Sequence, residues 1–446
     1  MKPSLLFRSG RSTSQSPPPL SQSRLLSLFS LFSLTLGLSV PHIHAVPPDA
    51  IMQESKVPPF DLPDVLVAND TQRIQTPSDW RQKRRPELLE MFFREIYGKT
   101  LLGRPDALKF VIREELPSAR GGKATRLRVG VLFEGTEEGR QMELLVYLPN
   151  HVKGPVPVFL GLNFDGNYTT TAEPDLPVPS HWAMGLFTNK LEKHRPTESA
   201  RGLHQHMWPY AYILEQGYGV VTAAYGEIEP DEPGGQSQGP RNLGPAPSAG
   251  DWGSIGAWAW GLSRAMDYLE TNPRVDTKRV AVLGFSRLGK TALWAGAQDE
   301  RFALVISNSS GAGGAALSKR IYGETVKHLT SKFPQWFAAN FANYANNETS
   351  LPVDQHELLA LIAPRPLLIT SGTTDLWSDP NGEFLSAFHA SPVYRLLGAE
   401  GISATNLPPP SVLVDSKLGY FLRPGGHDVT LEDWQAMIAF ANKHLH

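Results

Sequence analysis

The stretch Arg279-Val-Ala-Val-Leu-Gly-Phe-Ser-Arg-Leu-Gly-Lys290 combines a run of β-favouring residues that stops at Gly284 with a serine two residues later. This pattern predicts a strand that enters a sharp turn, and the residues up to Ala297 are typical of the helix that would follow. Ser286 would then stand at a strand–turn–helix corner with its hydroxyl above the sheet, which is the geometry of a nucleophile elbow. The spacing Gly-x-Ser-x-x-Gly is one residue longer than the usual motif, so an ordinary strand-to-helix turn is the alternative at this point.

The rest of the chain shows two kinds of strand pattern. Continuous apolar runs, typical of buried parallel strands, are found at Val156–Asn163, Tyr218–Tyr225, Val280–Phe285, Ala303–Asn308 and Pro366–Ser371. Shorter alternating runs, typical of antiparallel strands at a sheet edge, precede them at Lys109–Arg113, Ala124–Val129 and Met142–Leu148. Crossover helices are predicted at Tyr210–Gln216 and Trp252–Glu270. Together these patterns predict an α/β-hydrolase fold, a doubly wound and mostly parallel sheet with antiparallel N-terminal strands.

The first 45 residues differ from the remainder. Basic residues precede the serine-rich apolar run Leu25–Val40, and Ala45 closes a plausible cleavage site. The run is short for a transmembrane anchor, the alternative reading, so we predict a cleaved signal peptide over residues 1–45 and a secreted or periplasmic protein without stable membrane insertion. Residues 46–446 are predicted to form a single α/β-hydrolase catalytic domain with an N-terminal arm at 46–105, which includes an amphipathic helix at Ser78–Tyr97.

Charge and composition exclude several kinds of chemistry. The formal net charge is −2, which gives no electrostatic argument for a nucleic-acid partner. The chain contains no cysteine, so thiol nucleophiles, disulfides and thiolate metal sites are all excluded. Two long segments, from Asn163 to about Met207 and from Glu227 to Gly250, fit no simple strand–helix unit. Long loops of this kind inside a compact domain are usually functional.

A serine hydroxyl needs a general base and an orienting carboxylate before it becomes a good nucleophile. In this fold the order along the chain is serine, acid, histidine, each following a strand. Asp375 follows the strand that ends at Ser371, and His427 lies on a glycine-rich loop after the predicted strands Ser411–Asp415 and Gly419–Arg423. The order and placement predict a catalytic triad of Ser286, Asp375 and His427, with Asp379 as the second choice for the acid.

At this point the sequence resembles the bacterial glucuronoyl esterases, a family of carbohydrate esterases. The resemblance covers most of the chain after residue 45 and rests on five segments: Gly284–Lys290, Gly161–Asn167, Asp251–Arg264, Gly311–Ala316 and Trp377–Phe384. It implies cleavage of the ester between lignin alcohols and the 4-O-methyl-glucuronic acid of xylan, by way of a glucuronoyl-enzyme intermediate.

The resemblance also implies roles for individual residues. Arg287 would stabilise the oxyanion, while Lys290, Glu324 and Trp377 would bind the uronate ring. Fungal members take the triad acid from a glutamate after the sixth strand, and here Ser309 occupies that position. Asp375 would then have to orient the histidine, as in many bacterial relatives.

We therefore expect a serine esterase that needs no metal or cofactor, acts as a monomer and takes glucuronoxylan or a lignin–carbohydrate ester as its substrate. One alternative is another carbohydrate esterase, such as an acetyl-xylan esterase. A second alternative is a catalytically silent relative that only binds carbohydrate, which the loss of the glutamate at Ser309 makes conceivable. An intact Ser286, Asp375 and His427 argue against the silent relative.

Overall fold

The structure is a computed structural model that describes residues 47–185, 194–244, 248 and 250–445. Residues 44–446 form one compact unit. The predicted signal peptide at 1–45 and the first residue of the predicted arm lie outside the described residues. Within the described ranges, no helix is both long and apolar enough to cross a membrane.

A single mixed sheet of ten strands forms the centre of the described chain. Its strands are β1 (Lys109–Ala119), β2 (Ala124–Leu132), β3 (Gln141–Pro149), β4 (Val156–Asn163), β5 (Gly219–Ala224), β6 (Val275–Phe285), β7 (Leu304–Asn308), β8 (Leu367–Gly372), β9 (Leu413–Val414) and β10 (Leu418–Arg423). They are arranged in the order β1-β2-β3-β5-β4-β6-β7-β8-β10-β9. The predicted strand at Ser411–Asp415 is reduced to the two residues of β9, which pair with only one neighbour at the end of the sheet.

The direction of the strands confirms the predicted α/β-hydrolase fold. Six neighbouring strands in the centre of the sheet run parallel: β5, β4, β6, β7, β8 and β10. By contrast, β1, β2 and β3 pair antiparallel with one another, and β3 also pairs antiparallel with β5. The chain passes outward from β4 to β5 and then returns across β4 to β6. Such a reversal creates a crevice at the carboxyl ends of the strands, where α/β proteins bind their ligands.

Ten α-helical segments accompany these strands in the described part of the chain. They are α1 (Pro77–Asp79), α2 (Arg85–Phe92), α3 (Tyr210–Glu215), α4 (Tyr225–Ile228), α5 (Ser254–Leu269), α6 (Arg287–Gln298), α7 (Val326–Lys332), α8 (Gln355–Ala360), α9 (Pro380–Leu396) and α10 (Leu431–His444). The amphipathic helix expected at Ser78–Tyr97 is present, but it alternates α-helical turns with π-helical turns at Trp80–Arg84 and Phe93–Tyr97.

The helix that carries the elbow is embedded in the protein. Almost every residue of α5 and α6 is buried, and the two helices pack against each other. The Trp294 ring on α6 stacks on Tyr97 at a centroid distance of 4.4 Å and meets Phe93 edge-on at 5.2 Å. Buried aromatic pairs of this kind add about 0.5–1.5 kcal/mol beyond the burial of their area. The N-terminal helical segment therefore fixes the position of the helix that begins directly after Ser286.

Candidate active site

Ser286 lies at the corner between β6 and α6, as the sequence predicts. Its backbone has φ 57° and ψ −128°, a conformation that costs about 1–3 kcal/mol for a residue other than glycine. The Ser286 amide donates a hydrogen bond to the Asn308 carbonyl at 2.9 Å, and the Ser286 carbonyl accepts one from Gly289 at 2.8 Å. A Cβ atom at Gly284 would run into the Leu288 carbonyl, so the corner requires glycine there.

Asp375 and His427 come together from neighbouring strands. β8 and β10 are parallel and end side by side, with Gly372 opposite Arg423. The loops that follow carry the two side chains, and His427 Nδ1 lies 2.7 Å from Asp375 Oδ2. The His427 ring also lies 4.5 Å, between centroids, from the ring of Phe285, the residue before Ser286. All three predicted triad residues therefore follow the carboxyl ends of parallel strands at one edge of the sheet.

The environment keeps the Asp375 carboxyl ionised. Burial by itself would raise the pKa of Asp375, but the charge and the hydrogen bond of His427 outweigh burial and lower it. Ser378 lies beside the same pair, with its Oγ 3.4 Å from His427 Nδ1. A carboxylate that accepts from Nδ1 leaves Nε2 as the imidazole nitrogen that can take a proton.

The second candidate for the acid has other partners. The Asp379 carboxylate pairs with Arg320 Nε at 2.9 Å and accepts a hydrogen bond from the Gly382 amide at 2.9 Å, which caps the start of α9. Burial raises the pKa of Asp379 to about 6, with Arg320 opposing the shift. Ser309 follows β7 directly and is buried with φ 46°. Of these acidic side chains, Asp375 is the one that contacts His427.

Arg287, directly after Ser286, is a buried cation with an acidic partner. Its Nη1 lies 2.5 Å from Asp231 Oδ2, and its guanidinium lies 4.5 Å from the centroid of the Trp336 ring. Burial alone would lower the pKa of Arg287, but the charge and the hydrogen bond of Asp231, together with Tyr225 and Glu324, outweigh burial and raise the pKa. The Nε atom of Arg287 is buried and has no hydrogen-bond partner among the described residues. A buried charged donor beside the nucleophile suits a developing oxyanion.

The Asp231 carboxylate is shared among several donors. Besides Arg287, it accepts hydrogen bonds from Trp336 Nε1 at 2.6 Å, from Gln335 Nε2 at 2.8 Å and from the Tyr225 hydroxyl at 3.1 Å. Asp231 is itself buried. A buried carboxylate with four donors is held in one orientation, and it holds the guanidinium in turn.

The three residues that the family resemblance assigns to sugar binding also lie together. Lys290 Nζ donates to the Ser310 carbonyl at 2.6 Å and lies 3.3 Å from Glu324 Oε2. The Glu324 amide donates to the Trp377 carbonyl at 3.0 Å. Burial lowers the pKa of Lys290, and Glu324 counteracts part of that shift. Lys290 is one helical turn after Ser286, so this polar group adjoins the elbow.

Sequence reasoning missed two buried acids. Asp231 lies in the segment Glu227–Gly250, whose length indicated function but whose residues did not identify a partner for Arg287. Glu383 accepts hydrogen bonds from the Gly311 amide at 2.9 Å and from the hydroxyl of Ser371. It therefore ties the loop that follows β7 to the carboxyl end of β8. The sequence feature that could have identified Glu383 is its position within Trp377–Phe384, one of the segments on which the family resemblance rests.

Comparison with known proteins identifies relatives that match most of the chain. A family model described as glucuronyl esterase of fungi matches residues 247–398, which contain the elbow and Asp375. The carbohydrate esterase MZ0003, from an unknown prokaryotic organism, is 45% identical over 418 residues, which cover 92% of this chain and 96% of that protein.

Two solved structures superpose on most of the chain. A promiscuous CE15 esterase from a marine bacterial metagenome has a TM-score of 0.83 and 45% identity, and the match covers 89% of this chain and 100% of that one. A glucuronoyl esterase from Solibacter usitatus has a TM-score of 0.83 and 43% identity, with coverage of 88% and 100%. With nearly full-length relatives at this identity, the chain belongs to the CE15 family of glucuronoyl esterases.

Proposed function

We propose that this carboxylic ester hydrolase of the glucuronoyl esterase family cleaves the ester between the 4-O-methyl-glucuronic acid of glucuronoxylan and lignin alcohols. The observation that carries the proposal is the 2.7 Å contact between His427 and Asp375, which follow β10 and β8 at the same edge of the sheet as the Ser286 elbow. This arrangement supplies a nucleophile, a general base and an orienting acid for acyl transfer.

The first half of the reaction forms an acyl-enzyme. His427 Nε2 takes the proton of the Ser286 hydroxyl as Oγ attacks the ester carbonyl carbon. The carbonyl oxygen becomes an oxyanion, which the Arg287 guanidinium and backbone N–H stabilise. The tetrahedral intermediate then collapses, the bond to the alcohol oxygen breaks, and the alcohol leaves with the proton held by His427.

The second half releases the uronic acid. His427 takes a proton from a water molecule, whose oxygen attacks the glucuronoyl carbonyl carbon of the acyl-enzyme. A second oxyanion forms in the same place, and its collapse breaks the bond to Ser286 Oγ, which regains its proton from His427. Asp375 stays ionised throughout, because its pKa is lowered, and it stabilises the imidazolium in both halves.

Recognition of the uronate is assigned to Lys290, Glu324 and Trp377. Lys290 and Glu324 form a pair 3.3 Å apart beside the elbow, which offers sugar hydroxyls both a cationic donor and an acceptor. The half-buried Trp377 ring packs on His328 at a centroid distance of 5.2 Å and supplies an apolar surface for the ring of the sugar.

Activity on a wider range of carbohydrate esters is a second candidate function. It is favoured by the similar structure of a CE15 esterase described as promiscuous, which is 45% identical to this chain. Under this proposal the same triad would also hydrolyse acetyl esters, which place little demand on the residues that contact the uronate ring.

The test is the release of benzyl alcohol from benzyl glucuronate by the purified protein and by Ser286→Ala, with p-nitrophenyl acetate as a second substrate. We expect turnover of the glucuronate ester that is lost in the variant. Hydrolysis of p-nitrophenyl acetate alone would indicate that the protein has another carbohydrate esterase activity. Absence of both activities, combined with binding of glucuronoxylan, would support the silent carbohydrate-binding relative.

Export of the chain is part of the same proposal. The basic and apolar pattern of residues 1–45 supports a cleaved signal peptide and a secreted or periplasmic enzyme. N-terminal sequencing of the exported protein should find Val46 as the first residue, and a product that starts near Met1 would contradict the prediction.

A further inference from the structure

A polar cleft of about 380 Å³ lies next to the candidate active site. Its floor is formed by side chains of β1, β2 and β3, namely Arg113, Arg128, Gln141 and Glu143. Its volume falls within the roughly 300–1,000 Å³ that is typical of ligand pockets. Of the described residues that line the cleft, none belongs to the triad or to the uronate-binding group.

The cleft and the Arg287 cluster share one wall. Three short segments form this wall, and in each segment a residue that lines the cleft lies one or two positions from a residue of the Arg287 cluster. Trp182 lines the cleft, and Met184 Sδ lies 2.9 Å from Arg287 Nη1. In the other two segments, Gly226 and Pro230 line the cleft, and the residues beside them, Tyr225 and Asp231, belong to the hydrogen-bond cluster that holds Arg287. A ligand in the cleft would therefore lie one wall away from the reacting ester.

The charges in the cleft cancel locally. Arg128 forms two hydrogen bonds with Glu143, at 3.0 and 2.9 Å, and Arg113 also contacts Glu143 at 3.2 Å. His181 Nε2 lies 3.1 Å from Glu227 Oε1. Because each cation already has a carboxylate partner, the cleft offers no surplus charge to an anion or a cation. Its walls nevertheless present many hydrogen-bond donors and acceptors, which is the chemistry that recognises hydroxyl groups.

An aromatic surface completes the site. Trp182 is half-buried, donates its indole N–H to Glu232 at 3.0 Å and stacks on the His194 ring at a centroid distance of 5.3 Å. A Cβ atom at Gly226 would come within 2.7 Å of the Trp182 carbonyl oxygen and 2.9 Å of the Trp182 ring, so glycine lets the backbone pack closely against Trp182 and hold it in place. A fixed aromatic ring among neutralised polar groups suits a ligand with an apolar ring face and hydroxyls at its edge.

We propose that this cleft is a subsite for uncharged pyranose units of the polysaccharide that carries the esterified uronate. The proposal rests on the proposed function, because it assumes that the ester in the active site is attached to a polymer. The subsite would add binding energy at a distance from the reacting bond, and this energy would be available for substrates that carry a saccharide chain.

The test compares two esters of the same alcohol, benzyl glucuronate and the benzyl ester of glucuronic acid linked to xylotriose. The blocking variants are Gln238→Trp and Ser180→Trp, since both positions are exposed and line the cleft. The matched control is Gln236→Trp, an exposed glutamine two positions away that does not line the cleft. Inhibition by xylotetraose, which carries no ester, is measured in parallel.

We expect the wild type to prefer the saccharide-bearing ester by about tenfold in kcat/KM, which corresponds to about 1.4 kcal/mol of binding. Gln238→Trp and Ser180→Trp should lose this preference while their kcat/KM for benzyl glucuronate is unchanged, and Gln236→Trp should keep it. Equal kcat/KM for the two esters in the wild type, or a preference that survives both blocking variants, would overturn the proposal.

Two further results separate the subsite from other possibilities. If blocking instead abolishes a preference for large aromatic alcohols over methanol, the cleft holds the alcohol side of the ester and the saccharide proposal is wrong. If neither uronate ester is hydrolysed, the proposed function fails, and binding of xylotetraose to Ser286→Ala with and without Gln238→Trp still tests the cleft. Loss of that binding on blocking would support the subsite, and unchanged binding would refute it.

Discussion

The Asp231 carboxylate lies 2.5 Å from Arg287 Nη1 and 2.6 Å from the indole nitrogen of Trp336, while the guanidinium of Arg287 lies over the same Trp336 ring. Asp231 therefore compensates the charge of Arg287 and, with Trp336, fixes its plane. A guanidinium fixed in this way needs no reorganisation when negative charge develops on the substrate, which is the property that makes oxyanion stabilisation effective.

Replacement Asp231→Asn should lower kcat for glucuronate esters by about 10²–10³-fold, the loss expected when one oxyanion donor is misplaced. KM should change much less, because Asp231 contacts Arg287 and not the substrate. Removing one partner of a buried ion pair also costs about 3–5 kcal/mol of stability, so kinetics are measured on protein whose near-ultraviolet circular dichroism matches the wild type.

Trp336→Phe is the matched control, because it removes one donor to Asp231 and keeps the aromatic face over Arg287. Its effect on kcat should be smaller than that of Asp231→Asn. A rise in KM with unchanged kcat in Asp231→Asn would contradict the positioning role of Asp231.

Replacement Asp375→Asn should reduce kcat by about 10⁴-fold, because an amide at this position favours the wrong histidine tautomer. The fold should persist, since the asparagine keeps the shape of the side chain. Steady-state kinetics with benzyl glucuronate measure the loss. A variant with near wild-type kcat would show that another carboxylate orients His427.

Ser309→Glu should restore part of the activity of Asp375→Asn. Ser378 Oγ lies 3.5 Å from the Ser309 carbonyl and 3.4 Å from His427 Nδ1, so the chain at Ser309 passes close to the imidazole. A glutamate there would reproduce the acid position that the family resemblance gives for fungal members. Ser309→Gln in the same background is the uncharged control, and equal kcat for the two double variants would contradict the prediction.

Glu383 should make the protein less stable as the pH rises. Burial raises the pKa of Glu383 from 4.5 to about 8, with the hydrogen bond from Ser371 opposing the shift. Between these two values the native state keeps a proton that the unfolded state releases, so the free energy of unfolding falls with increasing pH. Glu383→Gln, which mimics the protonated acid, should flatten this part of the profile.

Denaturant unfolding of Glu383→Gln and wild type at pH 5 and pH 8 measures the difference. Glu357, whose pKa is also raised to about 8 by burial, contributes a decline of the same sign, so the variant should remove only part of the slope. Identical slopes in the two proteins would show that Glu383 is ionised in the native state.

Replacement Lys290→Met should weaken the use of uronate esters selectively. A hydrogen bond to a charged group contributes about 1.5–3 kcal/mol, which corresponds to about 10- to 150-fold in kcat/KM. Because Lys290 is buried, methionine fills the same space without leaving a cavity. The kcat/KM for p-nitrophenyl acetate is the internal control, and an equal loss on both substrates would point to damage at the elbow.

The sheet and the positions of Ser286, Asp375 and His427 after strand ends could be predicted from the sequence because both leave local patterns. Continuous apolar runs mark buried parallel strands, and Gly284 and Ser286 mark the strained corner at the end of β6. Asp375 could be preferred to Asp379 because it follows β8 more closely. The π-helical turns around Trp80 and the shortness of β9 left no such pattern, because both depend on packing with distant parts of the chain.

The partner of Arg287 could not be predicted for a related reason. Asp231 lies 56 positions before Arg287, in a segment without periodicity, and only the folded chain brings the two together. Glu383 lies in the first turn of α9, and its contacts with Gly311 and Ser371 depend on the sheet bringing the loop after β7 and the end of β8 to either side of it. Buried acids of this kind are visible only through their tertiary partners.

Amino-acid substitutions in the floor and in the wall of the polar cleft have different consequences for the candidate active site. Its floor lies on β1, β2 and β3, whose antiparallel register is set by pairing within that part of the sheet. Floor side chains can therefore be exchanged without moving Ser286. The wall residues lie beside Tyr225, Asp231 and Met184, which surround Arg287. A substitution in the wall would therefore also affect the position of Arg287, the residue after Ser286. Under the proposed subsite, preference for the polymer would change through substitutions in the floor alone, whereas substitutions in the wall would also change the rate of the reaction.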